Sequence, residues 1–231
     1  MIKQRCIDMI VRNETDISIM QSNFLFSGMH DAQLEETLSL LKASTREYAR
    51  GELLHHAGTS MKHFGMVLTG VVQACIDDIE GNRMIMTEVL PGSTFGESLC
   101  FLKIPDSPVY IYASEDVRVL WLSAEALYEG SDPFYRDLQR RFTSILAMLN
   151  LAMNNRIQVL GKLRLRDRLI MYFSELSAAQ GSNTFRLPLN RDDTATYIGA
   201  NRSALSRELS AMKRDGLIDY DRNTIRILSS K

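Results

Sequence analysis

The sequence has few cysteines and no grouping of them that suits a metal. Cys6, Cys75 and Cys100 are far apart, and no two of them form a CxxC pair. This scarcity argues against disulfides, structural zinc and a four-cysteine iron–sulfur cluster, and it is typical of a reducing compartment. We expect Cys75 and Cys100 to lie in a core, with oxidant sensing as the alternative.

Long apolar segments are also missing. No uncharged run reaches the length of about 20 residues that a membrane-spanning helix needs. The N-terminal stretch MIKQRCIDMIVRNETD lacks the apolar region of a signal peptide. We therefore expect a cytoplasmic protein that has no membrane partner.

Catalytic motifs are absent as well. The sequence contains no phosphate loop, no HExxH motif and no convincing nucleophile–base pair. Asp77-Asp78 and Asp192-Asp193 are adjacent carboxylates, whose side chains diverge on a strand or a helix. We therefore expect that the protein is not an enzyme.

What the sequence does contain is enough apolar material for two domains, with 45% hydrophobic residues in 231. The net charge is only −1, but it is unevenly divided. Residues 1–161 carry 14 Lys+Arg against 20 Asp+Glu, whereas residues 162–231 carry 13 against 8. An acidic front and a basic back favour a regulatory domain followed by a DNA-contacting domain, although other two-domain proteins show such a division.

The first half of the chain predicts helices followed by a β-roll. Residues 16–48 have an amphipathic helical pattern. From about Gly51, short β-prone runs alternate with glycines, and Glu80-Gly81-Asn82 is a good hairpin tip. Val109–Leu122 predicts two more strands around a Ser-Glu-Asp turn. Strands at this spacing favour an antiparallel barrel or jelly roll.

A long helix is predicted next, capped by Asp132 and starting with Pro133. Its apolar residues form two stripes, of which only one is needed to pack on the roll. A second stripe favours a partner, most simply the same helix of another copy; the alternative is a helix buried within one chain. The first stripe comprises Leu138, Phe142, Ile145, Leu149, Ala152 and Val159, and the second Leu146, Met153, Ile157 and Leu160.

The segment Arg191–Ile218 predicts a helix-turn-helix. Asn190 can cap its first helix, Gly199 can adopt the positive φ of a tight turn, and Asn201 can cap the second helix. A two-stranded wing is predicted after it, around the turn Asp221-Arg222-Asn223.

The second helix has one apolar face, formed by Leu205, Leu209 and Met212. The residues on its other side suit a major groove, where arginine pairs bidentately with guanine. The predicted DNA contacts are Arg202, Ser203, Ser206 and Arg207 for bases and Lys213 and Arg214 for phosphates.

This order of elements resembles the CRP/FNR family of bacterial transcription regulators. The most specific matches are Pro91–Glu97 (PGSTFGE) and Ile198–Ile218 (IGANRSALSRELSAMKRDGLI). The resemblance implies an α+β fold with an antiparallel β-roll or jelly roll, a long dimerisation helix and a C-terminal winged helix-turn-helix. The expected domains are an effector-sensing roll with N-terminal helices (1–131), the dimerisation helix (132–161) and a DNA-binding domain (162–231).

The resemblance also implies partners: a second copy of the chain, a palindromic operator in double-stranded DNA, RNA polymerase and a small-molecule effector. Arg202 and Arg207 fall on two base-reading positions of the family, with a phosphate contact or a solvated charge as the alternative for each. Ser203 stands where relatives often carry a glutamate, which puts the usual half-site in question.

Cyclic-nucleotide binders of the family use a Gly-Glu in the roll and, about ten residues on, an arginine that neutralises the cyclic phosphate. This chain has Gly96, Glu97 and Ser98, and Ser107 near the later position, but no arginine between Gly96 and Arg118. We therefore do not expect cyclic AMP. Glu97 can instead be a structural carboxylate that accepts backbone amides. The predicted effector pocket comprises Gly96, Glu97, Ser98 and Ser107 with Asn150 and Met153 of the long helix.

Other cofactors of the family are weakly supported. Cys6 stands alone, which argues against the cluster of the oxygen-sensing branch. Haem remains an alternative because axial ligands are available at His30, His55, His56 and His63, although His55 and His56 must point to opposite faces of a strand. Several aromatic residues are core candidates that can also line an apolar pocket: Phe101, Tyr110, Tyr112 and Trp121.

The sequence therefore predicts a homodimeric regulator that binds DNA and responds to an unidentified small signal. The alternative is a ligand-binding module whose winged helix mediates protein–protein contacts.

Overall fold

The alternating apolar and polar residues of the first half form two antiparallel sheets. The computed structural model describes residues 10–11, 13–77 and 83–228. The chain divides into two units between Ala147 and Met148, and each unit is described by itself. The predicted hairpin tip Glu80-Gly81-Asn82 and the N-terminal Cys6 lie outside the described residues.

The first unit contains eight described strands in two four-stranded sheets. One sheet has the order β1-β8-β3-β6 and the other the order β2-β7-β4-β5, with every pairing antiparallel. This arrangement is the predicted jelly roll. The strands are β1 (Ser44–Tyr48), β2 (Leu53–His55), β3 (His63–Thr69), β4 (Val72–Asp77), β5 (Arg83–Val89), β6 (Thr94–Phe95), β7 (Tyr110–Ala113) and β8 (Val117–Ser123).

Two local predictions need correction. Residues 44–48 are strand β1 and not part of a helix, because they complete the sheet beside β8 with Ser44 opposite Trp121. The strands on either side of the Ser-Glu-Asp turn do not pair with each other. Instead β7 pairs with β2 and β4, while β8 pairs with β1 and β3, so the turn passes from one sheet to the other.

Among the described residues, three α-helices accompany the roll: α1 (Glu14–Ser22), α2 (Asp31–Leu40) and the short α3 (Glu97–Phe101). Asn13 caps α1, since its side chain accepts from the amide of Asp16. His30 caps α2 in a capping box with Gln33. The roll's core is apolar and includes Phe64, Met66, Leu120 and Leu122, all of which are fully buried.

One ion pair lies inside this core. Arg118 on β8 donates to the carboxylate of Asp16 on α1, and both side chains are almost completely buried. Two charges away from water are tolerated only when each neutralises the other. The pair therefore ties the N-terminal helix to the centre of the sheet.

We predict that Arg118→Ala lowers the free energy of unfolding by about 3–5 kcal/mol, because it leaves a buried carboxylate without its cation. Urea unfolding can be followed by the fluorescence of Trp121, the single tryptophan of the chain. The matched control is Lys42→Ala, which breaks an exposed pair with Glu129. An Arg118→Ala midpoint equal to that of the control would contradict the prediction.

A long helix, α4 (Pro133–Leu160), follows the roll. The Asp132 side chain caps it by accepting from the amides of Phe134 and Tyr135. In the first unit its residues Leu138 and Phe142 are fully buried against the roll. The boundary between the two units falls within this helix, and the division at residues 131/132 and 161/162 stays a prediction.

The second unit contains the last residues of α4 and the helices α5 (Leu165–Gln180), α6 (Arg191–Tyr197) and α7 (Arg202–Arg214). Its sheet has the order β10-β11-β9, with β9 at Thr184–Arg186, β10 at Ile218–Asp221 and β11 at Thr224–Ile227. The wing is therefore three-stranded and not two-stranded. Strand β9 is not predicted from the sequence pattern, because it is only three residues long and pairs with the distant β11.

No described helix combines the length and the apolar character that a transmembrane span requires.

Candidate DNA-binding surface and effector region

The helix-turn-helix consists of α6, a four-residue turn and α7. The Asn190 side chain accepts from the amide of Asp193 at 3.0 Å, and that of Asn201 accepts from the amide of Ala204 at 2.8 Å. Both caps satisfy amides that the first helical turn leaves free. Gly199 has a φ of 68°, which a residue with a side chain rarely adopts. The local geometry is the one that the sequence predicts.

The inner face of α7 is buried. Leu205, Leu209 and Met212 pack with Ala195 and Ile198 in the core of the second unit. This packing fixes which residues of α7 face away from the core.

Arg168 of α5 forms hydrogen bonds with the turn between α6 and α7. Its Nη1 donates to the carbonyl oxygens of Ile198 and Gly199, both at 3.1 Å, and its Nε donates to that of Lys162 at 2.8 Å. The orphan carbonyls at the end of α6 therefore have a charged donor. Sequence reasoning missed Arg168, because nothing in its spacing indicates a contact 30 residues away.

Arg166 of α5 anchors α7 itself. Its Nε lies 2.6 Å from a carboxylate oxygen of Glu208, and its Nη1 lies 2.6 Å from one of Asp215. These carboxylates raise the pKa of Arg166, chiefly through the hydrogen bond that Arg166 donates to Glu208. The clamp joins α5 to the side of α7 and to its C-terminal end. It was also missed from sequence.

The residues predicted to read bases are all exposed on α7: Arg202, Ser203, Ser206 and Arg207. Arg202 Nη1 lies 2.8 Å from Asp192 Oδ2, and Arg207 Nε donates to the carbonyl of Ser203 at 3.3 Å. Each contact uses one nitrogen of a guanidinium that has five N–H groups. The pair of Arg202 with Asp192 is exposed, so it holds the side chain only weakly.

The two basic residues of the last turn of α7 are exposed as well. Lys213 Nζ lies 2.6 Å from Asp219 Oδ1 and 5.2 Å from the centre of the Tyr220 ring. The hydrogen bond to Asp219 raises the pKa of Lys213. The lysine therefore stays cationic, and it must exchange Asp219 for a phosphate if it contacts DNA. Arg214 beside it is exposed, and its phosphate contact stays a prediction.

The effector region of the first unit contains Gly96, Glu97, Ser98 and Ser107. Gly96 has a φ of 81°, and a Cβ there would lie 2.5 Å from Met61 Cε. Ser98 is exposed, while Ser107 is fully buried and its Oγ accepts from the amide of Val109 at 3.2 Å. The Ser107 carbonyl accepts from the amide of Gly58 at 2.7 Å. The hydroxyl and the carbonyl group of Ser107 therefore both accept hydrogen bonds from backbone amides.

Glu97 starts α3 and is buried, with 6% of its surface exposed. Its Oε1 has no hydrogen-bond partner among the described residues. Burial raises the pKa of its carboxyl group, while a hydrogen bond with Thr94 acts in the opposite direction. The expected role as a carboxylate that accepts several backbone amides therefore does not apply to Oε1.

Two cationic side chains of the first unit form ion pairs. Lys103 is exposed and pairs with Glu125 at 3.5 Å, and Arg118 is paired with Asp16 in the core. In the second unit, Asn150 and Met153 are exposed on α4, and Asn150 Oδ1 accepts from Asn154 Nδ2 at 2.9 Å. Their place in an effector pocket stays a prediction.

The histidine and cysteine side chains of the roll differ in burial. His55 is buried and its neighbour His56 is exposed, as expected for adjacent residues at a strand end. Burial raises the pKa of the Cys100 thiol to about 12, and Glu97 adds to this shift. Cys100 is therefore a poor nucleophile. Cys75 is buried, with its Sγ 3.8 Å from the Tyr112 hydroxyl.

We predict that Glu97→Gln stabilises the first unit at pH 7. Folding raises the pKa of the Glu97 carboxyl group, so the folded unit binds this proton more tightly than the unfolded chain does. The stability that the proton contributes is fully present below the unfolded pKa of about 4.3. It is lost as pH rises through the folded pKa. Glutamine imitates the neutral form, and its urea midpoint should exceed that of the wild type at pH 7 and match it near pH 4. Glu125→Gln, at an exposed position, is the control. Equal midpoints of Glu97→Gln and wild type at pH 7 would refute this.

Comparison with known families gives two matches. Residues 45–130 match the cyclic nucleotide-binding domain, and residues 167–231 match the Crp-like helix-turn-helix domain. The first match covers most of the roll, and the second covers most of the second unit.

Curated relatives are transcription regulators. The chain is 29% identical over 170 residues to the transcriptional regulator SdrP of Thermus thermophilus, with 71% of this chain and 79% of the relative covered. It is 25% identical over 185 residues to the transcriptional activator protein FnrL of Cereibacter sphaeroides, with 75% and 71% covered.

Solved structures share the fold. The structure of CprK in complex with OCPA has a TM-score of 0.63 at 17% identity, with 85% of this chain and 91% of that chain covered. FixK2 from Bradyrhizobium japonicum has a TM-score of 0.53 at 21% identity, with 81% and 93% covered.

Proposed function

Because the chain belongs to the CRP/FNR family of bacterial transcription regulators, we propose that it is a homodimeric regulator that recognises a palindromic operator. In this proposal α7 of each copy enters a major groove, and the roll binds a small-molecule effector. The regulator binds the operator and contacts RNA polymerase in the cytoplasm.

The observation that carries the proposal is the exposed face of α7. It presents Arg202 and Arg207 with Ser203 and Ser206, while its other face is buried and clamped. Arginine recognises guanine through two parallel hydrogen bonds to O6 and N7. We propose that Arg202 and Arg207 read guanines and that Lys213 and Arg214 contact phosphates.

Exposed apolar residues on α4 support the homodimer. Met153, Ile157 and Leu160 are 65%, 63% and 37% exposed, although they are large and apolar, and their i, i+4, i+7 spacing places them on one face of the helix. Such a patch on one helix favours burial against a partner. A two-fold axis beside α4 would make the same patch of a second copy the partner, as a closed dimer requires. Two copies then present two recognition helices to a palindrome.

We propose an effector other than cyclic AMP. The residues from Gly96 to Ser107 include a single basic side chain, Lys103, which pairs with Glu125. A cyclic phosphate buried beside Glu97 would therefore lack a cation. The effector acts allosterically if it binds one dimer geometry more tightly than another.

We predict that Arg202→Ala/Arg207→Ala abolishes specific recognition. Each bidentate arginine–guanine pair contributes about 1–3 kcal/mol and the dimer loses four such pairs, so affinity for the selected operator should fall at least about 1,000-fold. The operator is selected from a random duplex library by the wild-type protein, and binding is measured by fluorescence anisotropy over a range of salt concentrations.

The control is Arg136→Ala/Arg140→Ala, which removes two exposed arginines from the first unit. It should leave the specificity unchanged. Wild-type affinity in the α7 double variant would refute base readout and favour a winged helix that contacts protein. Failure of selection to enrich any duplex would refute the regulator itself.

We predict that Ile157→Glu converts the dimer to a monomer, because a carboxylate would be buried in the apolar interface of both copies. Light scattering after size-exclusion chromatography should show the mass change from two chains to one. Gln158→Glu adds the same charge at the adjacent exposed position and should stay dimeric. A dimeric Ile157→Glu protein would place the interface elsewhere.

A further inference from the structure

The β-roll carries a groove that is lined by none of the residues from Gly96 to Ser107. It has a volume of about 460 Å³ and lies between β1, the end of β2 and the loop before β3. We call it the β1 groove and define it by Arg46, Tyr48, His55, Lys62, His63 and Trp121.

The charge of the β1 groove is opposite to that of its surroundings. Among the described residues that line it, none is acidic, although residues 1–161 have an excess of acidic side chains. Lys62 and His63 are exposed, and Lys62 forms no ion pair with any described residue. Arg46 pairs with Glu52 at 3.4 Å, with both side chains exposed. Lys62 therefore offers an unpaired positive charge to an anion, and Arg46 offers a second one for which the anion competes with the exposed Glu52 carboxylate.

One wall of the groove is aromatic and held in place. Trp121 Nε1 donates to the Tyr48 hydroxyl at 3.0 Å, and the two rings meet edge to face at 6.4 Å. The Arg46 guanidinium carbon lies 4.6 Å from the centre of the Tyr48 ring. Phe95 packs on Trp121 from another direction at 5.4 Å. A wall of this kind suits a planar ring, because its side chains lose little freedom on binding.

A buried polar atom at this groove lacks a partner. His55 is only 6% exposed, and its Nε2 accepts or donates no hydrogen bond among the described residues. Its Nδ1 is 3.5 Å from the Thr59 hydroxyl. An unsatisfied buried nitrogen is unfavourable in a folded protein, and a ligand atom or a water next to it would relieve that cost.

We propose that the β1 groove binds a small anion that carries an aromatic ring, with a carboxylate or phosphate group on Arg46 and Lys62 and the ring against Tyr48 and Trp121. Both anionic groups accept several hydrogen bonds from cations and differ mainly in charge. The groove lies in the first unit, so binding does not require the DNA-contacting side chains of α7.

Met61 connects the groove to the predicted effector region. It lines the groove, and its terminal methyl group occupies the space over Gly96 that a Cβ would need. An occupied groove therefore contacts a side chain that packs directly on the residue before Glu97.

The test uses the single tryptophan as its reporter. Trp121 fluorescence, excited at its red edge, is followed while the full-length wild type is titrated with phenyl phosphate, benzoate, inorganic phosphate or benzylamine. We expect a saturable change with phenyl phosphate or benzoate, a weaker response to inorganic phosphate, and none to the cationic benzylamine. Phenyl phosphate and benzoate together show which anionic group the site prefers.

The variant Arg46→Gln/Lys62→Gln should weaken binding of the preferred probe at least about tenfold, because it removes both charged donors. Both residues are exposed, and circular dichroism checks that the fold is kept. The control Lys42→Gln/Lys103→Gln removes equal charge from the same unit outside the groove and should bind like the wild type.

Two results would overturn the proposal. One is the absence of any saturable response of the wild type to both aromatic anions at millimolar concentrations. The other is a response that persists undiminished in Arg46→Gln/Lys62→Gln, since the probe would then bind elsewhere. DNA does not enter this experiment, so its outcome is independent of whether α7 recognises an operator.

Discussion

The second unit depends on one constraint: α7 must be held firmly on one side while the other side stays free. Burial of Leu205, Leu209 and Met212 supplies most of the holding energy, because apolar area removed from water is the dominant favourable term in folding. That packing alone permits sliding along the helix axis. Arg166 restricts it, since its contacts with Glu208 and Asp215 fix two points of α7 relative to α5. Base readout tolerates little error in position, so the clamp serves specificity more than stability.

Two cationic side chains on the free side of α7 are paired with carboxylates. Arg202 faces Asp192 and Lys213 faces Asp219, and all four side chains are exposed. Exposed pairs of this kind contribute little to stability in water. They are weak enough for a phosphate or a guanine to replace the carboxylate. They also reduce the attraction to any polyanion, because each cation carries a counter-charge. A surface built in this way favours sequence-dependent contacts over general attraction to phosphate.

The sequence predicts local features well and distant pairings poorly. The caps Asn190 and Asn201 and the turn at Gly199 follow from residues within four positions, so their geometry could be read directly. Local pattern predicts helix for strand β1, because its sheet partner, β8, lies about 70 residues later. Arg166 and Arg168 give no signal for the same reason, and the β1 groove exists only because four separate segments fold together. Sites that form only when distant segments of the chain fold together are therefore not predictable from local sequence patterns.

The Gly-Glu pair of the roll has a local structural explanation in backbone conformation, packing and burial. Gly96 has a positive φ and leaves space for Met61, so its identity follows from backbone and packing alone. Glu97 is buried with a raised pKa and an oxygen that lacks a partner. Residues 45–130 match a cyclic nucleotide-binding domain. A fold does not by itself determine a ligand, which depends on the side chains that the roll presents to it.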